Sequence, residues 1–239
     1  MRYLLTITYD GQNYCGWQKQ KTEKSVQGEI ERALNILLKE EVNLVGSGRT
    51  DAGVSALKQV AHFDTNATID NFSKFVYSLN GILNNDIKVL GIKETNFHAR
   101  FSAKRKTYLY KMYKSNVELP LKFKSLRVDE SIDLELMRDY SKHLIGEKDF
   151  KNFCASGSEV ESTVRTIYSI DIVENKEDIE FYITGNGFLY KMVRNIVGLL
   201  LEVAKSNIDE KQFLSVAFGE TVNKKTAPAY ALFLKDVEY

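Results

Sequence analysis

Two residues that could do chemistry, Arg49 and Asp51, lie in a short stretch rich in glycine, GSGRTDAGV at positions 46–54. Glycine permits backbone conformations that other residues avoid, and it lets a substrate backbone approach closely. We therefore predict a tight loop beside a sheet, with Asp51 as a candidate nucleophile or base. The alternative is that Asp51 only closes an Asx turn.

Arg194 is the second unusual residue, because it lies in a strongly apolar segment, MVRNIVG at 192–198, that is predicted to be a helix. A helix that is apolar nearly all round is expected to be buried, and a buried guanidinium without a partner is very costly. The sequence therefore predicts that Arg194 pairs with a carboxylate. Such a pair could simply hold the core together, or its carboxylate could be a catalytic one that the cation keeps ionised.

Aromatic and basic residues are interleaved in the segment FHARFSAKRKTY at 97–108. This composition suits stacking on an unpaired base while the RNA backbone is held by charge. Arg100, in the middle of the segment, is the candidate for contact with a substrate. An ordinary strand with a basic edge fits the same pattern, and His98 could be a structural histidine.

Length, composition and charge define the class of protein. The chain has 239 residues, of which 44% are hydrophobic, and a formal net charge of +1. These values favour one large or two smaller folded domains, and they exclude neither RNA nor a small molecule as substrate. The spacing of the cysteines and histidines predicts no metal site. No segment is apolar for long enough to cross a membrane, and the N-terminus does not resemble a signal peptide, so we expect a cytoplasmic protein.

The hydrophobic pattern predicts strand, helix, strand, strand, helix and strand up to about residue 95, which is the ferredoxin-like order. A second cycle follows, with a strand at 106–113, a helix at 134–144, a hairpin over 163–184, an apolar helix at 192–204 and a closing strand from 232. We therefore predict two α/β halves, residues 1–103 and residues 104–239, with their sheets joined.

Seven blocks in the same order along the chain resemble the tRNA pseudouridine synthase A family. They are YDG with YxGWQ at 9–18, GxGRTDAGV at 46–54, QVxHF at 59–63, FHARFSA at 97–103, GxxDF at 146–150, MVRNIVG at 192–198 and TAPA at 226–229. The chain departs from the family at Ser55 and Ala56, where many members carry histidine and glycine. We expect this departure to alter contacts of the loop with RNA.

The resemblance implies an α+β fold of two ferredoxin-like halves, joined into one continuous and mostly antiparallel sheet with helices on one face and a cleft between the halves. It implies an isomerase that converts uridine to pseudouridine in the anticodon stem-loop of tRNA, at positions 38, 39 and 40. It also implies a homodimer in which one tRNA contacts both subunits, and it implies no metal or organic cofactor.

Residue by residue, the resemblance implies that Asp51 is the catalytic aspartate and Arg194 its partner. Tyr108 corresponds to the active-site tyrosine, and Tyr110 is its competitor on the same strand face. Leu232 corresponds to the apolar residue that closes the pocket. Arg49 corresponds to the arginine that holds the target base out of its stack.

Pseudouridine formation breaks the bond between ribose C1′ and N1, turns the base and rejoins it through C5. An ionised Asp51 could add to C6, attack C1′ or remove the 2′ proton, and the sequence leaves these routes open. Two other functions fit parts of the pattern. One is a catalytically silent RNA-binding module of the same fold. The other is a glycoside hydrolase, which would need a second carboxylate as its acid, and Asp64 is the one that the motif offers.

Overall fold

Apolar side chains alternate in the strands and recur at helical spacing between them, and the chain folds accordingly. The structure, a computed structural model, describes residues 1–157, 160–221 and 225–239. The elements up to residue 104 are β1 (Arg2–Tyr9), α1 (Val26–Leu38), β2 (Leu44–Gly46), β3 (Ser55–Asp64), α2 (Phe72–Ile82) and β4 (Ile87–Glu94). The later elements are β5 (Arg105–Lys114), β6 (Leu126–Val128), α3 (Leu134–Ser141), β7 (Gly146–Asp149), β8 (Val164–Asn175), β9 (Asp178–Gly185), α4 (Met192–Ala204), α5 (Glu210–Phe218) and β10 (Leu232–Glu238).

The chain divides into two compact units. The first comprises Met1–Lys104 together with Phe233–Tyr239, and the second comprises Arg105–Leu232. The sequence prediction assigned residues 104–239 to one half, whereas here the last strand lies in the first unit. The physical reason is that β10 pairs in parallel with the start of β3, where Phe233 and Leu234 face Ser55 and Ala56.

In the first unit the strand order is β4-β1-β3-β10, and β2 pairs with β3. β1 runs antiparallel to both β3 and β4. The helices lie on the face to which Tyr3 points, since its ring packs edge-to-face on Phe72 of α2 with centroids 6.1 Å apart. Side chains alternate along a strand, so Leu4 and its cross-strand neighbour His62 point to the opposite face.

In the second unit the strand order is β5-β9-β8-β7, and β6 pairs in parallel with β5. The predicted hairpin is present as β8 and β9, whose connection includes Lys176 in the left-handed region at φ 55°. Nearly every residue of α4 is buried, as its apolar sequence predicts. The predicted α+β class, with two halves and mostly antiparallel strands, is confirmed.

Candidate functional site

The predicted tight loop is present between β2 and β3, and it carries Asp51 at a turn. The carboxylate residue is half-buried, and Arg49 is exposed. The carbonyl of Asp51 accepts a hydrogen bond from the N–H of Val54 at 3.1 Å. The backbone of Asp51 also forms an isolated antiparallel bridge with Gly16. The position of Asp51 is therefore fixed by backbone contacts on both sides of the turn.

The segment that precedes α1 holds the loop from one side. The N–H of Trp17 donates to the carbonyl of Thr50 at 3.1 Å, and the Thr50 hydroxyl hydrogen-bonds to the hydroxyl of Tyr9 at 2.8 Å. A Cβ at Gly16, where φ is +112°, would lie 2.5 Å from the Thr50 carbonyl oxygen. A Cβ at Gly46 would lie 2.6 Å from the buried Trp17 ring. Both glycines are therefore required for the close packing of the loop on Trp17.

A fully buried glutamine holds the loop from the other side. The Oε1 atom of Gln59 accepts from the Ser47 hydroxyl at 2.7 Å and from the N–H of Val60 at 3.1 Å. Its Nε2 atom donates to the carbonyl of Gly48 at 3.0 Å. Sequence reasoning missed this residue, because a glutamine in a strand usually faces solvent. A signal was present, since Gln59 shares one face of β3 with the apolar residues Ala61 and Phe63, which are buried.

The two residues that depart from the family pattern do not form part of the surface. Ser55 and Ala56 are 2% and 1% exposed. The Ser55 hydroxyl accepts from the N–H of Gly11 at 3.1 Å, and the Ala56 carbonyl accepts from the Thr8 hydroxyl at 2.9 Å. Both residues face protein and do not contact RNA directly, so an effect of this departure on the contacts of the loop with RNA stays a prediction.

Asp64, the carboxylate that a glycoside hydrolase would need as its acid, is paired with Arg2. Both oxygens of Asp64 accept from the guanidinium of Arg2 at 2.8 Å. The Arg2 hydrogen bonds hold the pKa of the Asp64 carboxyl below its ordinary value. A glycosidase acid needs a raised pKa so that it still carries its proton. The structure therefore argues against the hydrolase hypothesis.

Two tyrosines of β5 in the second unit have different environments. Tyr108 is 8% exposed, and its ring packs edge-to-face on Phe188 with centroids 5.1 Å apart. Tyr110 is fully buried, and its hydroxyl donates to the carbonyl of Pro228 at 3.0 Å. Burial raises the pKa of Tyr110 well above its ordinary value. Tyr110 is thus a structural residue, and Tyr108 is the better candidate for a role in chemistry.

Arg194 is only half-buried, which corrects the expectation of full burial. It lies in the first turn of α4, where its long side chain can leave the apolar layer. Its Nε donates to the carbonyl of Ala227 at 2.8 Å, and the N–H of Ala227 donates to the Arg194 carbonyl at 3.0 Å. A Cβ at Gly198 would lie 2.5 Å from the carbonyl oxygen of Lys225. The start of α4 is therefore packed closely on the segment 225–227, and the Nε bond restrains the Arg194 side chain.

The remaining candidates are divided between the two units. Arg100 is exposed on the loop that follows β4 of the first unit. Leu232 of the second unit is buried, and its N–H donates to the carbonyl of Ala229 at 3.0 Å. In the part of the chain that the structure describes, no group of histidine, cysteine, aspartate and glutamate could hold a metal ion. None of the helices described is long and apolar enough to span a bilayer.

Comparison with known proteins shows which family the chain resembles. The sequence model of the family described as tRNA pseudouridine synthase matches residues 141–239. The tRNA pseudouridine synthase A of Caldicellulosiruptor bescii is 42% identical, and the alignment covers 99% of this chain and 98% of that protein. The protein of the same name from Bacillus subtilis is 40% identical over 100% of this chain and 99% of its own length. The chain therefore belongs to the tRNA pseudouridine synthase A family of isomerases.

Proposed function

We propose that this protein converts uridine to pseudouridine in the anticodon stem-loop of tRNA, at positions 38, 39 and 40. The observation that carries the proposal is the setting of Asp51. A half-buried carboxylate stands on a turn whose backbone is fixed by Trp17 and Gln59. Such a fixed carboxylate suits attack on a bound nucleotide, because catalysis requires the reacting group to be held in position.

Asp51 acts as the nucleophile or base of the proposed reaction, and both roles require it to be ionised. Arg194 is its proposed counter-ion, since a nearby guanidinium favours the charged carboxylate. The bond between Arg194 Nε and the Ala227 carbonyl supports this role, because it restrains a side chain that would otherwise have several rotamers.

Three other residues complete the proposed site. Tyr108 provides a flat ring for the uracil and a hydroxyl that can move a proton. Leu232 provides an apolar wall that keeps water from the intermediate. Arg49, exposed two residues before Asp51, stabilises the nucleotide after it has left its stack. Unstacking costs a few kcal/mol and least in a loop or at the end of a stem, which agrees with an anticodon stem-loop as substrate.

The proposed enzyme works as a cytoplasmic homodimer without a metal or organic cofactor. Three adjacent target positions cannot share one base-specific code, so the substrate is recognised mainly by shape and by phosphate contacts. Binding should weaken steeply with added salt, because each phosphate contact releases counterions.

The test is tritium release from a tRNA transcript labelled at C5 of uridine, with the purified protein in a chelating buffer. We expect release by the wild-type protein and mapping of the product to positions 38, 39 and 40. Release that needs an added metal would contradict the cofactor proposal. Tight binding of the transcript without any release would instead identify a catalytically silent RNA-binding module.

A further inference from the structure

Two rings of the loop that follows β4 and one ring of β3 contact one another in series and are called the stack below. The stack lies on the face of the first sheet that is opposite to Tyr3. At its base the buried His62 accepts the N–H of Ala99 on Nδ1 at 3.0 Å. The ring of His98 meets the ring of His62 edge-to-face, with centroids 4.6 Å and planes 60° apart. The ring of Phe101 stacks on His98, with centroids 4.3 Å and planes 27° apart. The outermost ring therefore rests on a column that begins in the core.

Hydrogen bonds also hold the stack in place. The N–H groups of Arg100 and Phe101 both donate to Nδ1 of His98 at 3.2 Å. The N–H of His98 donates to the Ser102 hydroxyl at 3.1 Å. The N–H of Ser102 donates to the His98 carbonyl at 2.9 Å. These bonds hold the backbone of the loop from His98 to Ser102 against the His98 ring.

The ring that the stack presents is nevertheless open to water. Phe101 is 78% exposed, and the guanidinium carbon of Arg100 lies 5.7 Å from its centroid. Phe97 of the same loop is 48% exposed and stacks on Tyr239, whose hydroxyl donates to the Ala99 carbonyl at 2.7 Å. Phe101 packs on His98 with one face and leaves most of its surface exposed beside a cation, an arrangement that matches the way proteins bind unstacked bases.

The stack lies close to the loop that carries Asp51. His62 pairs across strands with Val45 of β2, just before that loop begins. Two residues earlier on β3, the carbonyl of Val60 accepts from the N–H of Ser47 at 2.7 Å. At a rise of about 3.3 Å per residue, the base of the stack lies roughly 7 Å along β3 from this anchor of the loop.

We propose that Phe101, with Arg100 beside it, is a stacking platform for an unpaired base of the RNA substrate, next to the target nucleotide. This inference rests on the proposed function, since it takes RNA as the ligand. The platform adds a binding contact that is separate from the groups proposed for chemistry. It gives affinity without base specificity, because every base has a flat face.

Fluorescence of a Phe101→Trp variant tests the contact directly. The chain has a single tryptophan, Trp17, which is 2% exposed, and the same titration of the wild-type protein measures its contribution. The probes are a synthetic anticodon stem-loop RNA and the same RNA with abasic loop positions. We expect the intact RNA to quench the introduced indole and the abasic RNA, which keeps every phosphate, to quench it far less. Equal quenching by the two RNAs would overturn the proposal.

Affinity of a Phe101→Ala variant provides the second test, with Tyr77→Ala as the matched control. Tyr77 is an 82% exposed aromatic residue on α2, in the helical layer of the same unit. We expect the Kd for the stem-loop RNA to rise roughly 5- to 150-fold in Phe101→Ala and to stay unchanged in Tyr77→Ala. An unchanged Kd in an active protein would refute the platform alone. Absence of pseudouridine formation by the wild type would refute the proposed function, whatever the result of the stacking test.

Discussion

Gln59 shows at the scale of a single residue how a buried polar side chain can position a catalytic one. It touches no candidate substrate group, but it bonds to both Ser47 and Gly48 at the entry of the loop. These bonds lie within the core, where an amide that loses its partners is costly. The loop therefore depends on one side chain for the geometry of its first turn.

Replacing Gln59 by leucine is expected to loosen the loop without removing any group proposed for chemistry. The change removes the hydrogen bonds that the Gly48 carbonyl and the Ser47 hydroxyl make to Gln59, so the free energy of unfolding should fall by roughly 1–3 kcal/mol. Turnover of tRNA should fall about tenfold or more because Asp51 is less well positioned. Chemical denaturation and single-turnover rates measure the two effects.

The exposed Gln20 provides the control, since Gln20→Leu changes the same amide at the surface of the same unit. It should leave stability and turnover near the wild-type values. Wild-type turnover in a destabilised Gln59→Leu protein would show that Gln59 supports the fold but does not position Asp51.

Gly11 tests the packing of the turn that carries Asp51. A Cβ at Gly11 would lie 2.0 Å from the carbonyl oxygen of Val54, so alanine there must displace the end of the loop. Gly11→Ala is expected to lower both the melting temperature and the turnover rate. Gly91→Ala is the matched control on β4, because nothing lies within 4 Å of the added carbon. Similar losses in the two variants would contradict a specific steric role for Gly11.

At the scale of an element, β5 separates a structural tyrosine from a candidate catalytic one. Tyr110→Phe removes the hydrogen bond to the Pro228 carbonyl and should cost roughly 1 kcal/mol of stability. Tyr108→Phe keeps the ring on Phe188 and should lower turnover more than it lowers stability. Melting curves and single-turnover rates for both variants check this. The reverse pattern would move the catalytic assignment to Tyr110.

His62 of β3, which contacts the loop after β4, predicts that the stability of the protein depends on pH. Burial lowers the pKa of His62 to about 4, and the nearby Arg2 and His98 add to the effect while Asp64 opposes it. In the unfolded chain a histidine titrates near 6.5, so between these values the unfolded state binds more protons. The free energy of unfolding should therefore fall as the pH is lowered from about 6.5 to 4.

Urea unfolding at several pH values, on the wild type and on His62→Gln, isolates this contribution from that of the carboxylates. The wild type should lose more stability across the window than His62→Gln does. Gln20→Leu, which changes an exposed group that does not titrate, should behave as the wild type. Parallel pH profiles for wild type and His62→Gln would show that His62 does not titrate differently on folding.

The sequence predicts a helix or strand well where the element is determined by residues close together in the chain. Ser25 is of a type that caps helices, and its hydroxyl accepts from the N–H of Gly28 at 3.3 Å at the start of α1. The apolar periodicity of α4 also predicted its burial. The first residues of β3, Ser55 and Ala56, carry no such local signal, because they follow a glycine-rich loop and pair with distant strands.

At the scale of the whole molecule, the parts that sequence reasoning missed depend on pairings between distant segments. The final strand lies in the first unit because Phe233 pairs with Ser55, which no local pattern reports. Residue type and pattern singled out Asp51 and Arg194, and the family resemblance added Tyr108 and Leu232. The roles of Gln59 and Gly16 emerged only when their partners were visible. Arg194 was misplaced in the core because the apolar character of its helix does not show where a long side chain leaves it.

The most direct test of the central claim is the single-turnover rate of pseudouridine formation by Asp51→Asn, measured with the Kd for the same tRNA transcript. The substitution keeps the size of the side chain and removes its charge. Asp64→Asn is the control, as it removes a carboxylate at the end of β3 that pairs with Arg2 of β1. We predict that Asp51→Asn binds tRNA within a few-fold of wild type and forms no measurable product, while Asp64→Asn retains turnover. Product formation by Asp51→Asn at the wild-type rate would contradict the catalytic role of Asp51.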